Sequence, residues 1–265
     1  IADFAMKIKM FQLDAFSSNL FSGNPAAVCI LSEWLSDDLL LSIASENNLS
    51  ETAFLNLSTD PIGIRWFSPK REVDLCGHAT LASARVLIDQ SKFKDFEEIV
   101  FESKRGLLKA QKEGDLIFLD FPSDKPQVIE NVFSNNLFDY APQRVIKGTD
   151  DYLFIFDQEE KIETINANYE EVRKLDSRGA IVSAIDSEGN IVSRCFYPKY
   201  GINEDPVTGS AHTLIIPYWS SVLGRTKINA RQLSERGGEL FCEVLEDRIR
   251  IGGHTAVFFS GEIEV

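Results

Sequence analysis

Three side chains in this sequence have the type and setting to move a proton: Glu51, His78 and Asp205. Glu51 follows Asn47-Asn48-Leu49-Ser50 and precedes Thr52-Ala53-Phe54-Leu55. Its carboxylate therefore stands where a helix hands over to a buried strand, and desolvation there raises a carboxyl pKa toward the range useful for proton transfer. His78 follows Gly77 at the mouth of an apolar run, and Asp205 precedes Pro206. Each also has a plain structural explanation. A Glu at a strand start is usually exposed, a His near a helix start caps or packs, and an Asp before Pro makes an Asx turn.

The elements that must position these groups are two polar turns, each feeding an apolar helix. In Asn203-Glu204-Asp205-Pro206-Val207-Thr208-Gly209-Ser210-Ala211-His212-Thr213-Leu214 the apolar run continues to Trp219. Gly209 permits close approach of another molecule to the backbone, and Pro206 near a helix start gives up no needed hydrogen bond. Free N–H groups and the positive end of the helix dipole make an anion the natural guest. An ordinary capped helix would explain one such turn. A second copy changes the reading. Arg65-Trp66-Phe67-Ser68-Pro69-Lys70 matches Arg194-Cys195-Phe196-Tyr197-Pro198-Lys199 as R-x-F-x-P-K, about half the chain apart. Acidic residues follow each copy, Glu72 and Asp74 in one, Glu204 and Asp205 in the other. Each copy then reaches a Gly, Gly77 or Gly209, that opens a helix. Shared order implies a duplicated strand–loop–helix unit, with two helix N-termini facing one cleft.

The chain has 265 residues, 44% hydrophobic with 19 Phe, enough core for two domains and unlike a disordered chain. Its net charge of −14 repels nucleic acid and anionic membranes, so neither is expected as a partner. A small anionic metabolite would need a local positive site, which helix N-termini could supply. Only three His and four Cys are present, and no C-x-x-C pair, so zinc-ligand spacing is missing and no metal is expected. Cys29, Cys195 and Cys242 lie in apolar runs and read as buried thiols. No apolar run approaches a membrane span and no signal peptide is visible, so a reducing cytoplasm is expected. Ile1 to Ala5 are set aside.

Alternation marks Lys7 to Ala15 as a strand, and Phe16 to Pro25 as a loop. Ala26–Leu31, Glu51–Leu57 and Ile62–Phe67 read as strands, and Asp37–Asn47 as a helix capped by Ser36 or Asp37. Thr80–Asp89 is nearly free of charge, with Arg85 and Asp89 as the exceptions, as a central helix wrapped by sheet would be. Thr213–Leu223 is its counterpart, with Pro217 inside and Gly224 as the stop. Strands fill most of the remainder. The expected fold is α+β: two similar barrel-like halves, each a curved, mostly antiparallel sheet around a central helix. The expected lobes are residues 6–124 plus 256–265, and residues 125–255, with the active site in the cleft between them.

These motifs resemble a known family, the PhzF-like (phenazine biosynthesis-like) isomerases of the diaminopimelate epimerase fold. The resemblance covers almost the whole chain. It is carried by Asp14-Ala15-Phe16 with Gly23-Asn24-Pro25-Ala26, by Ser50-Glu51-Thr52-Ala53-Phe54, and by Asp74-Leu75-Cys76-Gly77-His78-Ala79-Thr80. Residues 203–212 and Gln232-Leu233-Ser234-Glu235-Arg236-Gly237-Gly238 complete it. The resemblance implies that Glu51 shuttles the proton, that His78 contacts the substrate, and that Asp205 is the second acid. It puts substrate-carboxylate contacts on Gly77, Gly209 and Ser210. It further implies no cofactor and a homodimer.

The expected activity is a cofactor-independent, acid/base proton shift on a small carboxylate-bearing substrate. Two alternatives compete. An amino-acid epimerase or racemase would use Cys76, a thiol beside a helix N-terminus, where related diaminopimelate epimerases place one of two catalytic thiols. The matching position in the second copy is Thr208, which argues against a symmetric two-thiol relay. A non-catalytic small-molecule binding protein would bind carboxylates without turnover, and the intact set Glu51, His78 and Asp205 weighs against it.

Overall fold

Two apolar helices and many short strands dominate the chain because its hydrophobic residues fall into short alternating runs broken by Gly, Pro and Asn. The computed structural model describes residues 6–90, 93, 97–130, 133 and 136–265, and Ile1 to Ala5 lie outside them. The first elements are β1 (Lys7–Ala15), β2 (Asn24–Leu31), α1 (Asp37–Asn47), β3 (Glu51–Asn56), β4 (Ile62–Phe67), β5 (Glu72–Val73) and α2 (Gly77–Asp89). Next come β6 (Glu98–Ser103), β7 (Gly106–Glu113), β8 (Leu116–Pro122), β9 (Gln127–Ile129), β10 (Arg144–Lys147), β11 (Tyr152–Ile155), α3 (Glu159–Thr164) and α4 (Tyr169–Arg173). The chain closes with β12 (Ala180–Ile185), β13 (Ile191–Tyr197), β14 (Ile202–Asp205), α5 (His212–Leu223), β15 (Lys227–Gln232), β16 (Gly238–Leu245), β17 (Arg248–Gly253) and β18 (Thr255–Glu264).

The chain divides into two compact units, Ile1–Asp120 with Gly252–Val265, and Phe121–Ile251. Strand pairing shows that they are copies of one design. In the first unit β1 runs antiparallel to β2, β2 parallel to β3, β3 antiparallel to β4, β4 parallel to β6, and β6 antiparallel to β7. The second unit repeats that series with β10, β11, β12, β13, β15 and β16. A strand is added antiparallel to the outer side of each series, β18 on β1 and β9 on β10. Short β5 and β14 fold back on β4 and β13, just before each long helix.

The R-x-F repeat has the same physical role in both units. Arg65 donates from Nε and one terminal nitrogen to the two oxygens of Glu72, at 2.7 and 2.8 Å. Arg194 does the same to Glu204, at 2.7 and 2.9 Å. Each guanidinium lies over the Phe two residues on, Phe67 or Phe196, at 5.1 and 5.3 Å from the ring centre. The first acid after each repeat therefore locks the short returning strand to its neighbour. Asp74 is exposed and pairs with Arg105 instead.

The central helices are buried as their composition requires. In α2 every residue from Gly77 to Ile88 except Arg85 is buried. Arg85 and Asp89 pair at 2.8 Å on the outer face. The helix packs on β1, β2 and β3. It starts three residues earlier than the apolar run suggests, because Gly77-His78-Ala79 reads as turn but continues the helix. The second helix differs from expectation at its start. Gly209–Ala211 is a 3-10 turn, and the α-helix begins at His212. Pro217 lacks the N–H that would bond the Thr213 carbonyl, and that carbonyl accepts from the Asp124 N–H at 3.0 Å instead. Gly224, at φ +64°, ends the helix.

Candidate active site

In the first unit, β3 begins with Glu51 and α2 begins with Gly77, so a strand start and a helix start bring 51 and 76–78 together. Glu51 is half-buried, its side chain 15% exposed, so it is not the solvated strand-start Glu that residue type alone favours. His78 Nε2 is 3.4 Å from Glu51 Oε2. His78 Nδ1 is 3.5 Å from Cys76 Sγ. Burial pushes the His78 pKa down from 6.5 to about 3, so the imidazole is neutral, with one N–H and one lone pair. A neutral ring between a carboxylate and a thiol can pass a proton either way by exchanging tautomers. Cys76 is the N-cap residue of α2, and its side chain makes no cap hydrogen bond. The first intrahelical bond runs from the Thr80 N–H to the Cys76 carbonyl, at 3.1 Å. The N–H groups of Gly77, His78 and Ala79 thus precede the helical ladder, beside these three side chains.

The loop signature around Asp14 sets the start of β2, the strand beside β3. Asp14 is buried and its Oδ2 accepts from the Phe21 N–H at 2.8 Å. Gly23 sits at φ +68°, where a Cβ would stand 2.3 Å from the Ala15 carbonyl oxygen. These residues fix the turn that delivers β2, on which β3 is registered with Ala26 opposite Glu51.

In the second unit, Asp205 is buried, the last residue of β14. Thr208 Oγ1 donates to its Oδ2. The fully buried Gln232, at the end of β15, clamps the loop: its Oε1 accepts from the Thr208 N–H at 2.8 Å. Its Nε2 donates to the Asp205 carbonyl at 2.8 Å and to Thr208 Oγ1 at 3.3 Å. Ser234 Oγ donates to the Pro206 carbonyl at 2.6 Å. The Thr208 N–H is consequently not free for an anion, as the turn suggested it would be. His212, fully buried, is held by Nδ1 against the Thr208 carbonyl at 2.9 Å, and burial lowers its pKa to about 4.

Two residues here were not singled out by the sequence. Thr208, met there only as the missing second thiol, holds Asp205. Arg178 donates from NH1 to Ser210 Oγ at 3.0 Å and from Nε to Asp151 Oδ1 at 3.1 Å, with a second bond to Asp151 Oδ2. Its guanidinium lies 4.9 Å from the Tyr197 ring centre. A partly exposed cation therefore touches the hydroxyl expected to contact a carboxylate. Nothing local in Ser177-Arg178-Gly179 distinguishes this arginine. The other thiols behave as their runs indicate: Cys29, Cys195 and Cys242 are buried and unpaired by disulfides, and burial pushes Cys29 up to about 12 and the other two higher.

A family model described as phenazine biosynthesis-like protein matches residues 13–261. An uncharacterized isomerase of Halalkalibacterium halodurans is 42% identical over 263 residues, covering 97% of this chain and 99% of the relative. A crystal structure of a phenazine biosynthesis protein of the PhzF family from Enterococcus faecalis superposes with a TM-score of 0.93 at 40% identity, covering 98% of this chain and 100% of that one. A hydroxyproline epimerase from Agrobacterium vitis, solved with trans-4-hydroxy-L-proline bound, shares the fold at a TM-score of 0.62 and 11% identity. It covers 98% of this chain and 93% of its own.

Proposed function

The chain belongs to the phenazine biosynthesis-like protein family and is an isomerase; from that premise we propose that it shifts a proton within a small carboxylate-bearing metabolite, with Glu51 as the shuttle. Glu51 takes the proton from one carbon and returns it to another. Neutral His78 orients the substrate and polarises it by hydrogen bonding rather than by charge. Asp205, held by Thr208, is the second acid. Gly77, Gly209 and Ser210 receive the substrate carboxylate, and Arg178 beside Ser210 adds the positive charge that an acidic protein must supply locally.

The observation that carries it is the contact of a half-buried Glu51 with a buried, neutral His78 at the start of α2. A carboxylate so placed is within reach to exchange a proton with a neutral imidazole, and N–H groups that precede the helical ladder stand beside it to receive an anion. The absence of a second thiol at Thr208 favours this one-acid route over a two-thiol racemase. Incubating the protein with a panel of small unsaturated, amino and hydroxy carboxylic acids, followed by NMR, tests it. A product of unchanged mass and altered double-bond or proton position is expected. A panel that yields only binding would leave the binding-protein alternative as the better account.

We also propose a cytoplasmic homodimer, on the strength of the family resemblance and four buried cysteines that form no disulfide. No helix among the described residues is long and apolar enough to cross a membrane. Sedimentation at micromolar concentration tests the dimer.

A further inference from the structure

Five apolar side chains stand exposed on the first unit: Leu20 and Phe21 in the loop after β1, and Val257, Phe258 and Phe259 in β18. Phe21 and Phe258 meet edge to face, with ring centres 5.8 Å apart, so loop and strand make one patch. We propose that this patch is the face on which a second copy of the chain docks. The inference rests on the homodimer proposed above and gives that dimer its surface.

The backbone presents these side chains deliberately. In the pairing of β18 with β1, Gln12 faces Phe259 and Leu13 faces Val257, so Phe258 is the extra residue of a bulge. That bulge is why three successive residues are exposed where an ordinary strand would alternate. The loop is fixed as well. Phe21 sits at φ +67°, which is rare for an aromatic residue, and its N–H donates to the buried Asp14 at 2.8 Å. The Ser17 N–H donates to the His254 carbonyl at 3.2 Å and ties the loop to the start of β18. Phe259 lies over Gly261, where a Cβ would stand 2.6 Å from its ring. A face already held in shape loses little freedom when it is covered.

Charge and area select the occupant. Residues 15–24 and 251–261 contain no Asp, Glu, Lys or Arg, in a chain of which 26% is charged and whose net charge is −14. A basic or acidic partner finds no charge to pair with here, whereas two identical neutral faces meet without like-charge repulsion. Phe21 is 71% exposed, Phe258 50% and Phe259 40%. With Leu20 and Val257 they offer on the order of 450 Å² of apolar surface. A standard interface buries about 800 Å² on each side, and in homodimers about 65% of it is apolar, hence roughly 500 Å². One such patch per chain suffices for a two-fold dimer in which each copy uses the same face. The bulge opposes strand-to-strand pairing, so the contact is made by packed side chains, with Phe21 and Phe259 as anchors.

The test is sedimentation velocity on the full chain from 0.1 to about 100 µM, beside hydrogen exchange over the same range. The wild type is expected to dimerise, with amides 18–22 and 256–260 gaining protection as the dimer forms. Phe21→Glu and Phe259→Glu each place two like charges in the contact and should raise the dimer dissociation constant at least a hundredfold, with circular dichroism unchanged. Phe21, the more exposed, keeps the test open if the β18 variant folds poorly. Leu107→Glu, at another exposed apolar residue of the same unit, should leave the dimer intact. A dimer that survives both Phe variants, or one that Leu107→Glu disrupts equally, overturns this face and leaves the homodimer itself standing. A wild type that stays monomeric at 100 µM overturns both, and its cosedimentation with neutral phosphatidylcholine vesicles would identify a lipid surface as the occupant instead.

Discussion

Replacing Gln232 by Leu removes the clamp on the Asp205–Thr208 loop without changing the size of the buried side chain much. Gln232 is fully buried and makes three hydrogen bonds, two of them to backbone groups: the Thr208 N–H and the Asp205 carbonyl, both at 2.8 Å. Leucine leaves both backbone groups buried without that partner, at about 1–3 kcal/mol each, less about 1 kcal/mol from the gain in apolar burial. The expected loss is about 1–5 kcal/mol in urea-induced unfolding at unchanged slope. Gln232→Glu is the informative companion. It keeps an acceptor for the Thr208 N–H, but loses the donor to the Asp205 carbonyl and puts a second carboxylate near Asp205. Hydrogen exchange should localise the change, with amides 205–212 losing protection in both variants and β1–β4 keeping theirs. A Gln232→Leu protein within 0.5 kcal/mol of wild type, or with no local loss of protection, would refute the assignment of Gln232 as the residue that holds Asp205.

Arg194→Lys cannot reproduce the paired bonds to Glu204, nor the bonds from NH1 to the carbonyls of Ile162 and Ile165 at 3.2 and 3.0 Å that cap α3. It should cost about 1–3 kcal/mol by urea titration, and Arg65→Lys a similar amount if the two repeats are equivalent. His212 carries a pH signature. Its folded pKa, lowered by burial to about 4, lies below the 6.5 of the unfolded chain, so the unfolded state binds more protons between those values. Stability therefore falls as pH drops from about 6.5 to about 4, by about 1.4 kcal/mol per pH unit and about 3 kcal/mol in all, and then levels off. His212→Gln should flatten the wild-type slope by that amount in the same window; an unchanged slope counts against a neutral buried His212.

The duplicated unit was legible because R-x-F-x-P-K encodes a local device: Arg stacks on the Phe two residues on and reaches an acid a few residues later. The burial of α2 was legible because Arg85 and Asp89 are its only charged side chains. What sequence could not separate was one acid from the next. Glu72 and Glu204 hold arginines, Asp74 is solvated, and Asp205 is buried, yet all four stand in similar polar turns. Gln232 and Arg178 were illegible as supports because their partners lie 24 and 32 residues away in sequence. Helix α3 was missed because Glu159–Thr164 offers a single buried apolar residue, Ile162, and hence no periodicity. Cys76 shows the limit most clearly. Its place in sequence suggests a thiol beside a helix N-terminus, and only the turn of α2 puts its sulfur against His78.

The proposed isomerisation depends most on the Glu51 carboxylate carrying the proton. The direct measurement is turnover of a substrate found in the carboxylic-acid panel, wild type against Glu51→Gln, with affinity for that substrate measured alongside. Removing a general acid–base group is expected to lower kcat by about 10²–10⁴-fold while binding stays within a few-fold and the circular dichroism is unchanged. A Glu51→Gln enzyme that isomerises the substrate at the wild-type rate would contradict it.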